Sequence, residues 1–173
     1  WFSLSSNFRS RVEAFARSIA HGELELKTRA LYLTPHLWSS SAPLWQHLSE
    51  RIGHEARRVS SLNLLTRDRD ATLLIVDPNT IITHEVLQKL PAWARSGRVV
   101  VLPRTPLYTE MARAEVELIV AQAKKMEIDL GVRYRLHALG DGKLIIHDIP
   151  DASAGIDVAN AWQTFLTAML SLA

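Results

Sequence analysis

The residues best suited to binding a polar molecule stand in three short loops, each of which follows an apolar segment. The first loop contributes a histidine and a tryptophan, the second an aspartate and an asparagine, and the third an arginine and a threonine. These residues are His36, Trp38, Asp77, Asn79, Arg104 and Thr105. Their imidazole, carboxylate, amide and guanidinium groups could together bind a small polar ligand. Loops rich in Pro, Asp and Asn also form simple turns, and the residue types leave both interpretations open.

Several kinds of catalytic and binding chemistry are not expected in these loops, because the sequence lacks the residues that they require. The loops contain no glycine, so a phosphate cradle built from backbone N–H groups is not expected. The chain has no Cys, no Gly-x-Ser-x-Gly elbow, and no convincing pair of carboxylates for glycoside hydrolysis. Asp77 occupies the place of a receiver-domain phosphoacceptor, but the first loop offers no acidic pair to hold Mg²⁺. We therefore predict no catalytic residue, no metal site and no cofactor. An enzyme whose site residues cannot be grouped from the sequence stays a further possibility.

Apolar runs and helical periodicities place these loops at the ends of strands. The segments 72–76 and 98–102 each contain four consecutive apolar residues, at 73–76 and 99–102, and such runs are typical of strands buried on both faces. Shorter strands are predicted near residues 29–33 and 57–60, and amphipathic helices lie between the strands. The longest predicted helix covers residues 109–126 and closes with Lys124 and Lys125.

This alternation predicts a single α/β domain over residues 1–173, with right-handed crossovers between parallel strands. We expect a doubly wound, mostly parallel, flavodoxin-like sheet with strand order 2-1-3-4 and an antiparallel edge hairpin near the C-terminus. In such a sheet ligands bind outside the carboxyl ends of the strands, near the topological switch point. The three polar loops are predicted to lie there.

The predicted hairpin, residues 132–147, carries the candidate interface. Arg133, Arg135 and His137 alternate with apolar residues and should share the solvated face. Two arginines on an edge strand could guard it against aggregation, or they could meet an acidic partner surface. His137 and His147 could also face each other across the hairpin and form a weak metal site, although two polar residues on a wet face are the simpler interpretation.

The bulk composition excludes some classes of partner. The formal net charge is only +2, and the densest basic runs are the pairs at 57–58 and 124–125, so no nucleic-acid surface is expected. No apolar run approaches the ~20 residues of a membrane span, and no signal peptide opens the chain. The cellular compartment is left open. A start at Trp1 without Met suggests a piece excised from a longer chain.

Residues 72–105 carry a resemblance to a known family. They read Thr-Leu-Leu-Ile-Val-Asp-Pro-Asn, then a helix, then Ser-Gly-Arg-Val-Val-Val-Leu-Pro-Arg-Thr. This resembles the class I glutamine-amidotransferase-like domain of multidomain, mainly bacterial, glycoside hydrolases, such as the β-galactosidase trimerisation domain. The likeness covers roughly residues 8–148. Amidotransferases use a Cys nucleophile, which this chain lacks, and in the hydrolases the catalytic carboxylates belong to a separate barrel.

The resemblance implies a non-catalytic accessory domain of a carbohydrate-active enzyme that supports a catalytic domain, promotes oligomerisation or shapes a substrate cleft. Its expected partners are the preceding catalytic domain of the same parent protein or further copies of the chain, and carbohydrate is a candidate ligand. The alternative is a free-standing α/β domain that binds a small polar ligand in a sensory or regulatory role, through His36, Asp77 and Arg104.

Overall fold

The computed structural model describes residues 8–16, 28–35, 43–61, 70–94, 97–104, 108–149 and 156–173. The helices are α1 (residues 8–16), α2 (Pro43–Ile52), α3 (His84–Ala94), α4 (Glu110–Gln122) and α5 (Ile156–Leu172). The strands are β1 (Ala30–Leu33), β2 (Ala56–Val59), β3 (Leu73–Val76), β4 (Val99–Pro103), β5 (Lys124–Ile128), β6 (Val132–Leu139) and β7 (Gly142–His147). Within these ranges no helix is both long and apolar enough to cross a membrane.

The seven strands form one sheet in the order β2-β1-β3-β4-β7-β6-β5. The first five are parallel, and β6 runs antiparallel to both β7 and β5. This confirms the predicted α/β, mostly parallel, flavodoxin-like sheet and its order 2-1-3-4.

Two apolar layers cover the sheet, one on each face. Helices α3 and α4 pack over one face, against residues such as Leu74, Val100 and Leu144. Helices α2 and α5 pack over the other face, against residues such as Ile75 and Val101. We refer to these as the α3/α4 face and the α2/α5 face. Burial on both sides explains why the central strands are uninterrupted apolar runs. Leu73, Ile75, Val99 and Val101, which the sequence predicts to be buried, all have 0% exposure.

The segment after α4 differs from the prediction. The helix ends at Gln122, and Lys124 and Lys125 begin β5 instead of closing a helix. The backbone of Ala123 is already extended, with φ −76° and ψ 151°. Strand β5 then pairs with β6 over five residues, from Lys124 opposite Leu136 to Ile128 opposite Val132. Backbone pairing with β6 therefore overrides the helical propensity of this segment.

The predicted antiparallel hairpin forms at the C-terminal side of the sheet, and one further strand, β5, lies outside it. Because β5 pairs with the outer side of β6, the edge strand is β5, and β6 lies between β5 and β7. Strand β6, which carries Arg133, Arg135 and His137, is therefore not the edge strand. The interpretation in which these residues guard an exposed edge does not hold. The proposed proximity of His137 and His147 is also wrong, because His137 lies opposite Leu144 whereas His147 lies opposite Tyr134.

Candidate functional site

A row of buried polar residues lies where the parallel strands end. Thr34 follows β1, Asp77 follows β3, and His147 is the last residue of β7. In the part of the chain that the structure describes, these are the buried polar or charged residues, with exposures of 2%, 3% and 1%. The strand registers place them level with one another, since Leu33 pairs with Val76 and Pro103 pairs with His147. The side chains lie on the α2/α5 face of this edge.

Asp77 lies at the topological switch point. The chain passes from β1 to β2 on one side, whereas β3 pairs with β1 on the other side, so the switch point falls between β1 and β3. The carboxylate accepts a hydrogen bond from the hydroxyl of Tyr32 through Oδ2 and one of 2.7 Å from the backbone N–H of Asn79 through Oδ1. The second bond closes an Asx-type turn. Both oxygens of this buried carboxylate thus have a donor from the chain itself.

Arg104 lies on the opposite face of the sheet. Its guanidinium group contacts Asp148 at 3.3 Å and Glu117 of α4 at 3.6 Å. Asp148 raises the pKa of Arg104 above its usual value, so the group is a fixed cation. Asp77, in contrast, bonds to Tyr32, whose ring packs against Trp45 of α2 at 5.6 Å. The sheet therefore separates Asp77 from Arg104, and the two side chains are not brought together as parts of one ligand site.

His147 is enclosed by aromatic rings of α5. Its ring centroid lies 4.8 Å from that of Trp162 and 5.2 Å from that of Phe165. Burial lowers the pKa of His147 to about 3, so the imidazole is neutral at physiological pH. Nδ1 accepts a hydrogen bond from the backbone N–H of Ile149 at 3.3 Å, which places the proton on Nε2. Nε2 has no hydrogen-bond partner among the described residues.

Of the remaining predicted ligand residues, Asn79 alone lies within the described part of the chain. Asn79 is exposed, and its backbone N–H closes the turn at Asp77. His36, Trp38 and Thr105 lie outside the described residues. Within the described ranges no group of three or more His, Asp or Glu side chains could hold a metal ion.

The candidate interface residues lie on the α3/α4 face of β6. Arg135 lies opposite Ile146, which belongs to the apolar layer of that face. Arg133 is exposed, whereas Arg135 and His137 are partly buried. Their alternation with buried Val132 and Tyr134 confirms the predicted two-sided pattern of this strand.

Apolar surface is also exposed at two other places. In α1 the side chains of Phe8, Val12 and Phe15 form one helical face and are 71%, 50% and 56% exposed. Between α3 and α4 an open cavity of about 320 Å³ is lined mainly by leucines, including Leu118, which is 66% exposed. An amphipathic helix and an apolar groove are the two halves of a common mode of protein recognition.

Sequence reasoning missed Tyr32 and Lys125. Tyr32 is the partner of Asp77, and the available signal was period-two alternation, because Tyr32 and Thr34 share a face at the end of β1. Lys125 falls within the predicted helix over residues 109–126, and no local sequence pattern indicates that it lies on a strand beside Arg135.

No protein-family model matches the chain, and no curated protein matches it.

Proposed function

We propose that this chain is a non-catalytic accessory domain of a carbohydrate-active enzyme, a glycoside hydrolase, and that it acts through its surfaces by supporting a catalytic domain or promoting oligomerisation. The observation that carries the proposal is the state of the carboxyl edge of the sheet. There the carboxylate of Asp77 is hydrogen-bonded to the chain itself, and His147 is buried among aromatic rings.

A catalytic acid, base or nucleophile has to reach the reacting atoms. Asp77 is 3% exposed, and both of its oxygens accept hydrogen bonds. His147 is 1% exposed, and its ring packs edge-to-face against Trp162 and at a tilt against Phe165. These two groups are therefore better suited to stabilising the edge of the sheet than to attacking a substrate.

The alternative, a sensory domain that binds one small polar ligand, needs Asp77 and Arg104 to act together. Their positions on opposite faces of the sheet favour the accessory role instead. Arg104 is already neutralised by Asp148 and Glu117.

The carbohydrate-active parent is inferred from the resemblance of residues 72–105. The absence of Cys from the sequence removes the thiol on which amidotransferase chemistry depends. What supports a surface role is the exposed apolar face of α1 and the apolar cavity between α3 and α4, because exposed apolar patches of this kind often mark interaction sites.

Activity assays on the purified chain test the non-catalytic part of the proposal. We expect no release of nitrophenol from a panel of 4-nitrophenyl glycosides and no release of ammonia from glutamine. Asp77→Asn serves as the matched variant and should behave like the wild type in both assays. Steady turnover by the wild type that Asp77→Asn abolishes would overturn the proposal.

The complete reading frame of the gene tests the carbohydrate-active parent. A glycoside hydrolase barrel encoded in the same chain, or in an adjacent co-transcribed gene, is the expected finding. A free-standing gene beside a sensor kinase or a transcriptional regulator would instead favour the ligand-binding role.

A further inference from the structure

A second concave surface lies on the α3/α4 face of the antiparallel strands. It encloses about 400 Å³, and its charged lining residues are Lys125, Glu127, Arg133, Arg135 and Asp148. Lys125, Arg133 and Arg135 supply three cations from the adjacent strands β5 and β6. We call this surface the basic groove.

The register of β5 and β6 puts two of these cations side by side. Lys125 lies directly opposite Arg135, and directly opposed residues in antiparallel strands have Cβ atoms only about 4.5–5.5 Å apart. Like charges in such a position destabilise the strand pair. An anion bound between the two side chains would offset this repulsion.

Neither acidic residue that lines the groove contacts Lys125 or Arg135. Glu127 lies opposite Arg133 and contacts it at 3.9 Å, and Asp148 contacts Arg104 at 3.3 Å. Among the described residues, neither Lys125 nor Arg135 has an ion pair or a side-chain hydrogen bond. Two adjacent cations in a concave surface therefore have no direct ion-pair partner among the described residues.

We propose that the basic groove binds a small oxyanion, a phosphate or a carboxylate, whose oxygens accept hydrogen bonds from both Lys125 and Arg135. The planar guanidinium of Arg135 can donate two parallel hydrogen bonds to either group, and the ammonium of Lys125 adds a point charge beside it. The groove borders the carboxyl end of β7 through Asp148 but lies on the face of the sheet opposite to Asp77 and His147. The proposal does not depend on the accessory function.

Calorimetric titration at constant ionic strength tests the site with three probes: inorganic phosphate, glucuronate and neutral glucose. We expect phosphate or glucuronate to bind and glucose not to bind, and the stronger of the two anions identifies the chemistry. Lys125→Gln and Arg135→Gln should each weaken that binding by about tenfold or more. The control Lys89→Gln removes an exposed cation from α3 and should leave the affinity unchanged.

Thermal melts without added anion supply a second measurement. Because removing Lys125 relieves its repulsion with Arg135, Lys125→Gln should melt about 1–2 °C above the wild type. The same concentration of anion should raise the melting temperature of the wild type more than that of Lys125→Gln, because stabilisation depends on the ratio of ligand concentration to Kd. The proposal is overturned if neither anion binds, or if all three variants bind as the wild type does.

Discussion

The carboxylate of Asp77 shows how a buried charge is tolerated at the edge of the sheet. A charged group taken out of water is stabilised only when its oxygens are hydrogen-bonded. The hydroxyl of Tyr32 and the N–H of Asn79 provide these bonds, and Tyr32 comes from the neighbouring strand β1. The bond from Tyr32 therefore ties β1 to the loop after β3, and we assign it a structural role.

Removing the hydroxyl in Tyr32→Phe should lower the free energy of unfolding by about 1.5–3 kcal/mol, because Asp77 Oδ2 would be left buried without a donor. Urea denaturation measures this change. Tyr134→Phe is the matched control, since Tyr134 is buried but its hydroxyl has no hydrogen bond among the described residues. It should change the stability by less than about 0.5 kcal/mol. Equal losses in the two variants would show that the bond to Asp77 contributes nothing.

His147 should make the stability depend on pH. Its pKa is about 3 in the folded chain and ~6.5 when unfolded. Between these values the unfolded chain binds a proton that the folded chain does not, so stability falls as the pH falls from 6.5 towards 3. The slope from this residue is up to about 1.4 kcal/mol per pH unit. His147→Phe keeps an aromatic ring against Trp162 and should flatten the curve measured by denaturation from pH 7 to pH 5. Identical slopes would contradict the assignment.

At the level of elements, Gly142 decides how closely β7 approaches its neighbours. The sequence Gly140-Asp141-Gly142 is typical of a turn, and the structure places the turn at 140–141 with Gly142 as the first residue of β7. A Cβ at this position would fall on the carbonyl oxygen of Ala94 and lie 2.5 Å from that of Arg98. The next residue, Lys143, donates its N–H to Arg98 O at 3.0 Å. Glycine is therefore needed for the backbones of α3, β4 and β7 to meet.

We expect Gly142→Ala to destabilise the fold by about 1–3 kcal/mol, the usual cost of forcing an extra group into a packed site. The strained contacts are backbone atoms that no rotamer change can move aside. Thermal melts followed by circular dichroism measure the loss. Ala138→Gly, at an exposed position of β6, removes a methyl group where nothing is crowded and should lose no more than about 1 kcal/mol. Unchanged stability of Gly142→Ala would mean that β7 can move away from α3.

At the level of the whole molecule, α1 exposes an apolar face to solvent among the described residues. Phe8, Val12 and Phe15 are all at least half exposed. Their spacing of i, i+4 and i+7 is that of a helix that docks in an apolar groove, and the cavity between α3 and α4 offers such a groove. An oligomerising accessory domain would cover both surfaces.

We therefore predict concentration-dependent self-association of the purified chain, measured by light scattering. Val12→Asp places a charge in the apolar face and should shift the mass towards the monomer. Ser10→Asp puts the same charge on the opposite side of α1 and should leave the mass unchanged. A wild-type chain that stays monomeric at all concentrations would remove oligomerisation from the proposed role and leave docking to a catalytic domain.

The sequence by itself determined the class of fold and the order of its first four strands. Leu73, Ile75, Val99 and Val101 could be assigned to the interior because a strand covered on both faces needs apolar side chains at every position. Pairing of β1 with both β2 and β3 followed from right-handed crossovers, which restrict the possible topologies. The sequence also located Asp77 and Arg104 at the carboxyl edge, because each follows an apolar run.

Only the tertiary structure decided which of these residues meet. The face on which a side chain lies depends on strand register, so the separation of Asp77 from Arg104 could not be read from their loops. Lys124 and Lys125 follow a helix without a Gly or Pro to end it, and only long-range pairing with β6 makes them a strand. That same pairing buries the expected edge of the hairpin and brings Lys125 beside Arg135. Local propensities depend on residues that are neighbours along the chain. These contacts join segments that are separated along the chain, so no local sequence pattern predicts them.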